Sequence, residues 1–186
     1  MKVEFGNIQD LNEIKIISDQ TFGFNYLSES DLLNYFHSDH SFFTVAHDSG
    51  LLVGFSLFIV GDFNCALKEI GTEYHMLLDT LKKYEIIQVR KTTAVHESFL
   101  KRGIGTSLIE FGITSKKADL YLSLVWKRTF HAPVIEIITK LGFKPFCEIG
   151  NYWSEDSIKK SYNCPECGKP PCTCAMLVIA KIGKDR

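Results

Sequence analysis

The sequence holds no apolar run approaching the roughly 20 residues that a membrane-spanning helix requires. Its first residues, MKVEFGNIQDLNEI, place charges where a secretory leader would need an apolar stretch. Neither a membrane span nor a leader is expected, and the cytoplasm is the expected compartment. An excess of positive charge is also lacking: 21 Lys and Arg stand against 22 Asp and Glu, a formal charge of -1. No overall field marks the chain for nucleic acid or an anionic membrane. A spread of cysteines suited to several disulfides is absent too. Of the six, four crowd between Cys164 and Cys174, which suits one metal ion in a reducing compartment better than a set of bridges. No internal repeat or low-complexity tract is present.

What the 186 residues do contain is 45% hydrophobic composition with 23% charged residues, enough apolar material for one core. The expectation is a single domain over residues 1–186, interrupted by a cysteine-rich insertion at about 151–174. Residues 2–5 read as a strand. Asn7 is a fitting N-cap for a helix carrying Leu11, Ile14 and Ile17, and Ser28 for one carrying Leu32, Leu33 and Phe36. Two strand-like stretches, Ser41 to His47 and Leu51 to Val60, flank the turn Asp48-Ser49-Gly50 and predict a hairpin. From Ala66 to Tyr84 the apolar spacing predicts one amphipathic helix. A strand from Glu85 to Val95, a helix from about Gly103 to Lys116 and a strand from Leu120 to Val125 make a β-α-β unit. Pro133 fits the first position of a further helix that ends at Gly142; strands follow over Phe143 to Glu148 and Ala175 to Ile182. The fold class is therefore α/β (α+β), a mixed central sheet flanked by helices.

The segment Ala94-Val95-His96-Glu97-Ser98-Phe99-Leu100-Lys101-Arg102-Gly103-Ile104-Gly105-Thr106 runs from a strand end through a turn into a helix. Unpartnered N–H groups at a helix start, together with the helix dipole, form an anion site fit for a pyrophosphate. Gly103 and Gly105 let backbone approach the phosphate oxygens, and Lys101 and Arg102 add charge. A tight turn with no ligand is the bland reading of the same residues.

Arg102-Gly103-Ile104-Gly105-Thr106 after Val95, together with Lys140-Leu141-Gly142-Phe143 closing a later helix, resembles the acyl-CoA motif and helix end of the GNAT superfamily of N-acyltransferases. That family's loop pattern is Gln/Arg-x-x-Gly-x-Gly/Ala, and its order of elements matches the order above over nearly the whole chain. The resemblance implies acetyl transfer from acetyl-CoA to an amine by direct attack in a ternary complex. Ala94 and Val95 would meet the pantetheine and acyl carbonyl, and Lys101, Arg102, Gly103, Ile104, Gly105 and Thr106 the pyrophosphate. Two positions depart from the pattern. Leu100 stands where the family has Gln or Arg, and Ile138 where many members have a general-acid Tyr. The proton carrier is left open among His131, Tyr121, His96, Glu97, water or none. A module that binds CoA without turnover, or one that docks a protein, is the alternative.

Cys164-Pro165-Glu166-Cys167 and Cys172-Thr173-Cys174 give the spacing C-x2-C-x4-C-x-C. The first half resembles a zinc knuckle, and four thiolates in eleven residues suit a closed tetrahedral Zn2+ site of structural kind. With one basic residue and no aromatic between its cysteines, the cluster is not expected to bind nucleic acid. The amine acceptor is unnamed by the sequence, as is the oligomeric state. The insertion and the helix around Leu67 to Leu81 are expected to shape the acceptor pocket, with Tyr152, Trp153 and Glu155 suiting a small or peptidic cationic amine.

Overall fold

The computed structural model describes residues 1–71, 75–127 and 133–183. In chain order the elements are β1 (Lys2–Phe5), α1 (Leu11–Phe22), α2 (Glu29–Phe36), β2 (Ser41–Asp48), β3 (Leu51–Gly61), α3 (Phe63–Ile70), α4 (His75–Leu81), β4 (Ile87–Val95), α5 (Ile104–Ser115), β5 (Leu120–Lys127), α6 (Pro133–Lys140), β6 (Lys144–Ile149), α7 (Ser154–Lys160) and β7 (Ala175–Ile182).

Local chemistry sets several of these ends. Asn7 and Asp10 form a capping box around a short 3-10 turn that feeds α1, with Gln9 N donating to Asn7 Oδ1 and Asn7 N to Asp10 Oδ2, both at 2.8 Å. Ser28 and Asp31 repeat the device before α2, at 3.1 and 3.0 Å. Each such box contributes about 1 kcal/mol. Ser49 and Gly50 both take positive φ, the two-residue hairpin turn whose twist matches the flanking strands.

The single helix expected from Ala66 to Tyr84 is instead two. α3 stops at Gly71, which adopts φ 104° and donates its N–H to Leu67 O at 2.8 Å, and α4 begins at His75. Apolar spacing runs on across the break, with Leu67, Ile70, Leu77 and Leu81 all buried, so periodicity alone reads through it.

The seven strands form one sheet in the order β1-β2-β3-β4-β5-β7-β6. Every neighbouring pair is antiparallel except β4 and β5, which are parallel across the connection through α5. On one face, Leu11, Ile14 and Ile17 of α1, Leu32 of α2 and Ile70 of α3 pack against Phe43, Phe55, Leu57 and Val89. On the other, Ile109 of α5 and Ile138 of α6 meet Tyr121, Val125 and Ile179. α5 lies unusually close to the sheet: a Cβ on Gly112 would fall 2.2 Å from the Phe58 ring. Gln88 Nε2 donates to Gly112 O at 2.9 Å and Thr44 Oγ1 to Leu108 O at 3.1 Å, pinning the helix by its own carbonyls. No helix among the described residues is long and apolar enough to cross a membrane.

Candidate active site

The ladder between β4 and β5 is short. It runs from Ile87 opposite Leu120 to Arg90 opposite Ser123, yet β4 continues to Val95 and β5 to Lys127. Two features separate the strands beyond that point. β5 stays paired along its whole length with β7 on its other side. β4 carries a bulge at Lys91, since Leu57 faces Thr92 while Phe58 faces Arg90; a bulge bends its strand and increases the local twist. The result is a fork in mid-sheet. His96 N donates to Val53 O of β3 at 2.9 Å, so by the alternation of a strand the Val95 backbone groups turn the opposite way, into the fork.

Arg90 occupies the crotch. Its Nε donates to Ser123 Oγ at 2.7 Å, Nη1 to Thr93 Oγ1 at 3.1 Å and Nη2 to Leu124 O at 2.7 Å, so the guanidinium bridges the strands where the main-chain ladder has ended. The side chain is buried and its three partners are neutral. Burial disfavours the cation and brings its pKa down to about 10, still charged at neutral pH. Lys91, the bulged residue, points to the opposite face. Burial works against its charge, but Glu69 Oε2 at 2.6 Å outweighs that and holds its pKa well above the usual lysine value. Tyr35 Oη also donates to Glu69 Oε2, at 3.1 Å, and burial raises the Tyr35 phenol to about 12.

A cavity of about 530 Å³ passes through the fork. On the α5 side its wall includes Ala94 and Val95, then Lys101, Gly103, Ile104, Gly105 and Thr106, with Val134 and Ile137 of α6 opposite. Lys101 (φ 62°) and Gly103 (φ 78°) turn the chain into α5. The first i to i−4 bond of that helix runs from Ser107 N to Gly103 O at 3.0 Å, which leaves the Ile104, Gly105 and Thr106 N–H groups without helical partners. This is an anion-binding geometry built from backbone. Arg102 is not in the wall: it lies over the Phe99 ring at 4.8 Å and donates to Ser98 O.

On the far side of the fork the wall includes Phe22 and Tyr26 of the α1 segment, Trp126 at the end of β5, and Trp153, Tyr162, Cys164 and Cys172 of the insertion. Burial pushes the Tyr26 phenol up, so it stays protonated. A second cavity of about 500 Å³ adjoins on the α2 and α3 side; Tyr26, Lys91 and Trp153 border both, and Tyr152 and Glu155 border this one. Tyr152 is tied to α3 through Oη to Glu69 O at 2.5 Å, and its ring meets Trp153 edge-on at 4.9 Å.

The insertion that supplies these walls contains α7 and then the cysteine loop. All four clustered sulfurs lie within 4.8 Å of one another. The closest approaches are 3.1 Å from Cys167 to Cys174 and 3.5 to 3.7 Å for three other pairs. Cys164 and Gly168 exchange two backbone hydrogen bonds of 2.8 Å. The Glu166 and Cys167 N–H groups then approach Cys164 Sγ at 3.4 and 3.5 Å. Such a tight turn with N–H groups aimed at sulfur suits thiolates that share a cation.

The residues considered for proton transfer are placed unequally. His96 accepts from Ser98 N at 3.3 Å and sits edge-on to Phe99, and the Glu97 side chain is exposed; neither is part of the cavity wall. Tyr121 Oη accepts from Ala118 N at 3.0 Å within the α6-side core. Ile138 is fully buried in that core. His131 lies outside the described residues. Cys65 and Cys147 pack at the edge of the core as small apolar side chains. Sequence reasoning passed over Arg90, Tyr26 and Tyr162. A signal for the first was present: adjacent cations Arg90-Lys91 inside the strand run Ile86-Ile87-Gln88-Val89 cannot both reach solvent from a central strand.

No family model and no curated protein matches the sequence. Solved structures do. The ribosomal-protein-S18-alanine N-acetyltransferase from Escherichia coli superposes with a TM-score of 0.68 at 15% identity, covering 100% of this chain and 95% of that one. Arabidopsis thaliana NAA60 in complex with acetyl-CoA gives 0.68 at 14% identity, with 97% of each chain covered. An N-acetyltransferase from Staphylococcus aureus Mu50 gives 0.63 at 14% identity, again over 97% of each. With its central sheet forked between β4 and β5 and end-to-end likeness to these structures, the chain has the fold of the GNAT N-acetyltransferases.

Proposed function

We propose that this chain is an acetyl-CoA-dependent N-acetyltransferase, with residues 1–186 acting as one unit. The observation that carries the reading is the continuous cavity from the α5 N-terminus, through the fork, to the aromatic recess beside α1 and α7. Such a shape lets two substrates enter from opposite faces and meet between the strands. In this reading the N–H groups at the start of α5 hold the pyrophosphate, and the edge of β4 from Thr93 to Val95 pairs with the pantetheine amides. The thioester carbonyl then lies at the fork, where a Val95 N–H polarises it.

The acceptor nitrogen attacks that carbonyl carbon, the C–S bond breaks, and CoA leaves as the thiolate while the nitrogen sheds a proton to water. No carboxylate borders this cavity among the described residues, whereas the Arg90 cation, hydrogen-bonded to neutral groups, does; the Lys91 charge is offset by Glu69. A positive field and partial desolvation both favour the neutral, nucleophilic form of an amine, and the same field stabilises the oxyanion and the departing thiolate. Tyr26, protonated and at the junction of the two cavities, is the residue we assign to pass a proton to the thiolate, regaining one from the water that took the amine's. The acceptor class that fits is a small or peptidic amine whose apolar body lies against the aromatic walls, a further cationic group being met by the carboxylates of the adjoining cavity, Glu155 among them.

Titration calorimetry with acetyl-CoA, paired with thiol release across a panel of primary amines, tests the reading. Saturable binding with release from at least one amine is expected. No binding at millimolar acetyl-CoA sinks it. Tight binding with no turnover on any amine favours a CoA-binding module instead, a reading to which the buried, apolar Ile138 lends weight.

A further inference from the structure

We propose that Cys164, Cys167, Cys172 and Cys174 hold one zinc ion whose task is to build the acceptor half of the site, leaving the acetyl-CoA half independent of the metal. The coupling to acceptors rests on the acetyltransferase reading above. The metal site itself stands on geometry. Four sulfurs about 2.3 Å from a tetrahedral ion lie about 3.8 Å apart. The separations of 3.1 to 3.7 Å approach that spacing and are far from the ~2.05 Å of a disulfide. A closed set of four thiolates leaves no coordination position for chemistry, so the ion's effect is conformational.

The route from the ion to the acceptor recess is a chain of direct contacts. Cys172 N donates to the fully buried Ser157 Oγ at 2.8 Å, and Ser157 Oγ donates to Ser154 O at 2.8 Å, so the loop grips α7 from within. α7 has seven residues, too few to be stable without such anchors. Lys160 at its end donates to Tyr26 O at 3.2 Å and pairs with Asp31 at 3.1 Å. Tyr162 meets the Tyr26 ring edge-on at 5.7 Å. Asn163 O sits against the Gly23 backbone, where a Cβ would come within 2.2 Å. Releasing four thiols from the ion removes the link between Cys164 and Cys172, leaves each to its local hydrogen bonds and loosens one wall of the recess. α5, by contrast, packs on β1 to β4.

The full-length protein is assayed as purified, after removal of metal by a strong chelator under reducing conditions, and after reloading with Zn2+ or Co2+. Cys167→Ser, which alters the exposed ligand, serves as a second route to the metal-poor state. Expected are about one zinc per chain and, with Co2+, the absorption of a tetrahedral thiolate site. Metal removal is expected to speed amide exchange at least about tenfold in residues 21–31 and 151–163 and to leave residues 97–115 unchanged. It is expected to lower acceptor kcat/KM at least about tenfold with acetyl-CoA affinity preserved. Absence of metal from protein made with zinc present overturns the site. Bound metal whose removal leaves residues 21–31 as protected as before, or weakens acetyl-CoA equally, overturns the coupling. If no amine is acetylated, the exchange measurement still decides the metal's role, so the two readings fail separately.

Discussion

The two sides of the fork are built by different means. The anion-binding turn on the α5 side is one continuous stretch, Val95 to Thr106, and its geometry is carried by backbone: two positive-φ residues and three unpartnered N–H groups. The far side is assembled from side chains remote in sequence, such as Tyr26 and Lys160, 134 positions apart, and Tyr152 and Glu69, 83 apart. A backbone site tolerates drift in side-chain identity, which accounts for Leu100 standing in a loop that keeps its shape. A side-chain site does not, and here it leans on an extra element, the cysteine loop. Substitutions on the α5 side should therefore act through backbone geometry and packing, those on the far side through lost contacts to the acceptor.

The largest effect is expected where α5 meets the sheet. A side chain at Gly112 collides with Phe58, which is buried and stacked on Phe42 at 5.0 Å and has nowhere to move. Gly112→Val should cost about 3 kcal/mol of stability, read as a lower midpoint in urea unfolding. A loss under about 1 kcal/mol means that the helix can lift off the sheet at little cost, and the rigid-platform view of this side fails.

This asymmetry also sets what the sequence discloses. Caps, hairpin and the loop into α5 are short-range signals: Ser28, Ser49-Gly50 and Gly103 act where their residue types suggest, and Asn7 caps the 3-10 turn just ahead of α1 instead of α1 itself. The break at Gly71 was hidden because the apolar period continues through it. α7 was hidden because its sequence, Ser154 to Lys160, offers a single apolar residue, Ile158, which is 57% exposed, while the buried position is Ser157. The fork itself depends on a bulge and on β7 inserting beside β5, neither of which leaves a local pattern. Arg90 was legible only as an anomaly, a cation in the middle of an apolar strand.

Trp153→Ala probes the far side. The indole borders both cavities and is held edge-on by Tyr152 and Trp126. Acceptor kcat/KM should fall by about thirtyfold, or about 2 kcal/mol, with acetyl-CoA affinity unchanged. An equal loss in both removes the division between the two halves. Gly103→Val makes the reciprocal test. A Cβ there meets nothing within 4 Å, so the penalty is the φ of 78° imposed on a branched residue and the displaced N–H groups. Acetyl-CoA affinity should weaken by about tenfold, roughly 1.4 kcal/mol. Unchanged affinity in a folded variant argues against an anion at this helix start.

Asp31 offers the smallest and most discriminating effect, because it links the far side's local and long-range parts. Its carboxylate closes the capping box of α2 and pairs with Lys160 of α7, which also touches Asp156 at 3.2 Å. Burial raises its pKa, but the Ser28 backbone and hydroxyl donors and then Lys160 outweigh that, holding it below the ordinary 3.8. A folded pKa below the unfolded one means that the unfolded chain binds more protons in that window. The stabilisation is therefore complete above about pH 4 and is lost as pH falls through the folded value. Asp31→Asn should cost about 1 kcal/mol at neutral pH, a modest loss because Asp156 still holds Lys160. Measured by urea unfolding, the gap between the two proteins should close as pH falls through the lowered folded value. A gap that persists there assigns the effect to the neutral hydrogen bonds of the cap, and the charge link from α2 to α7 is then without weight.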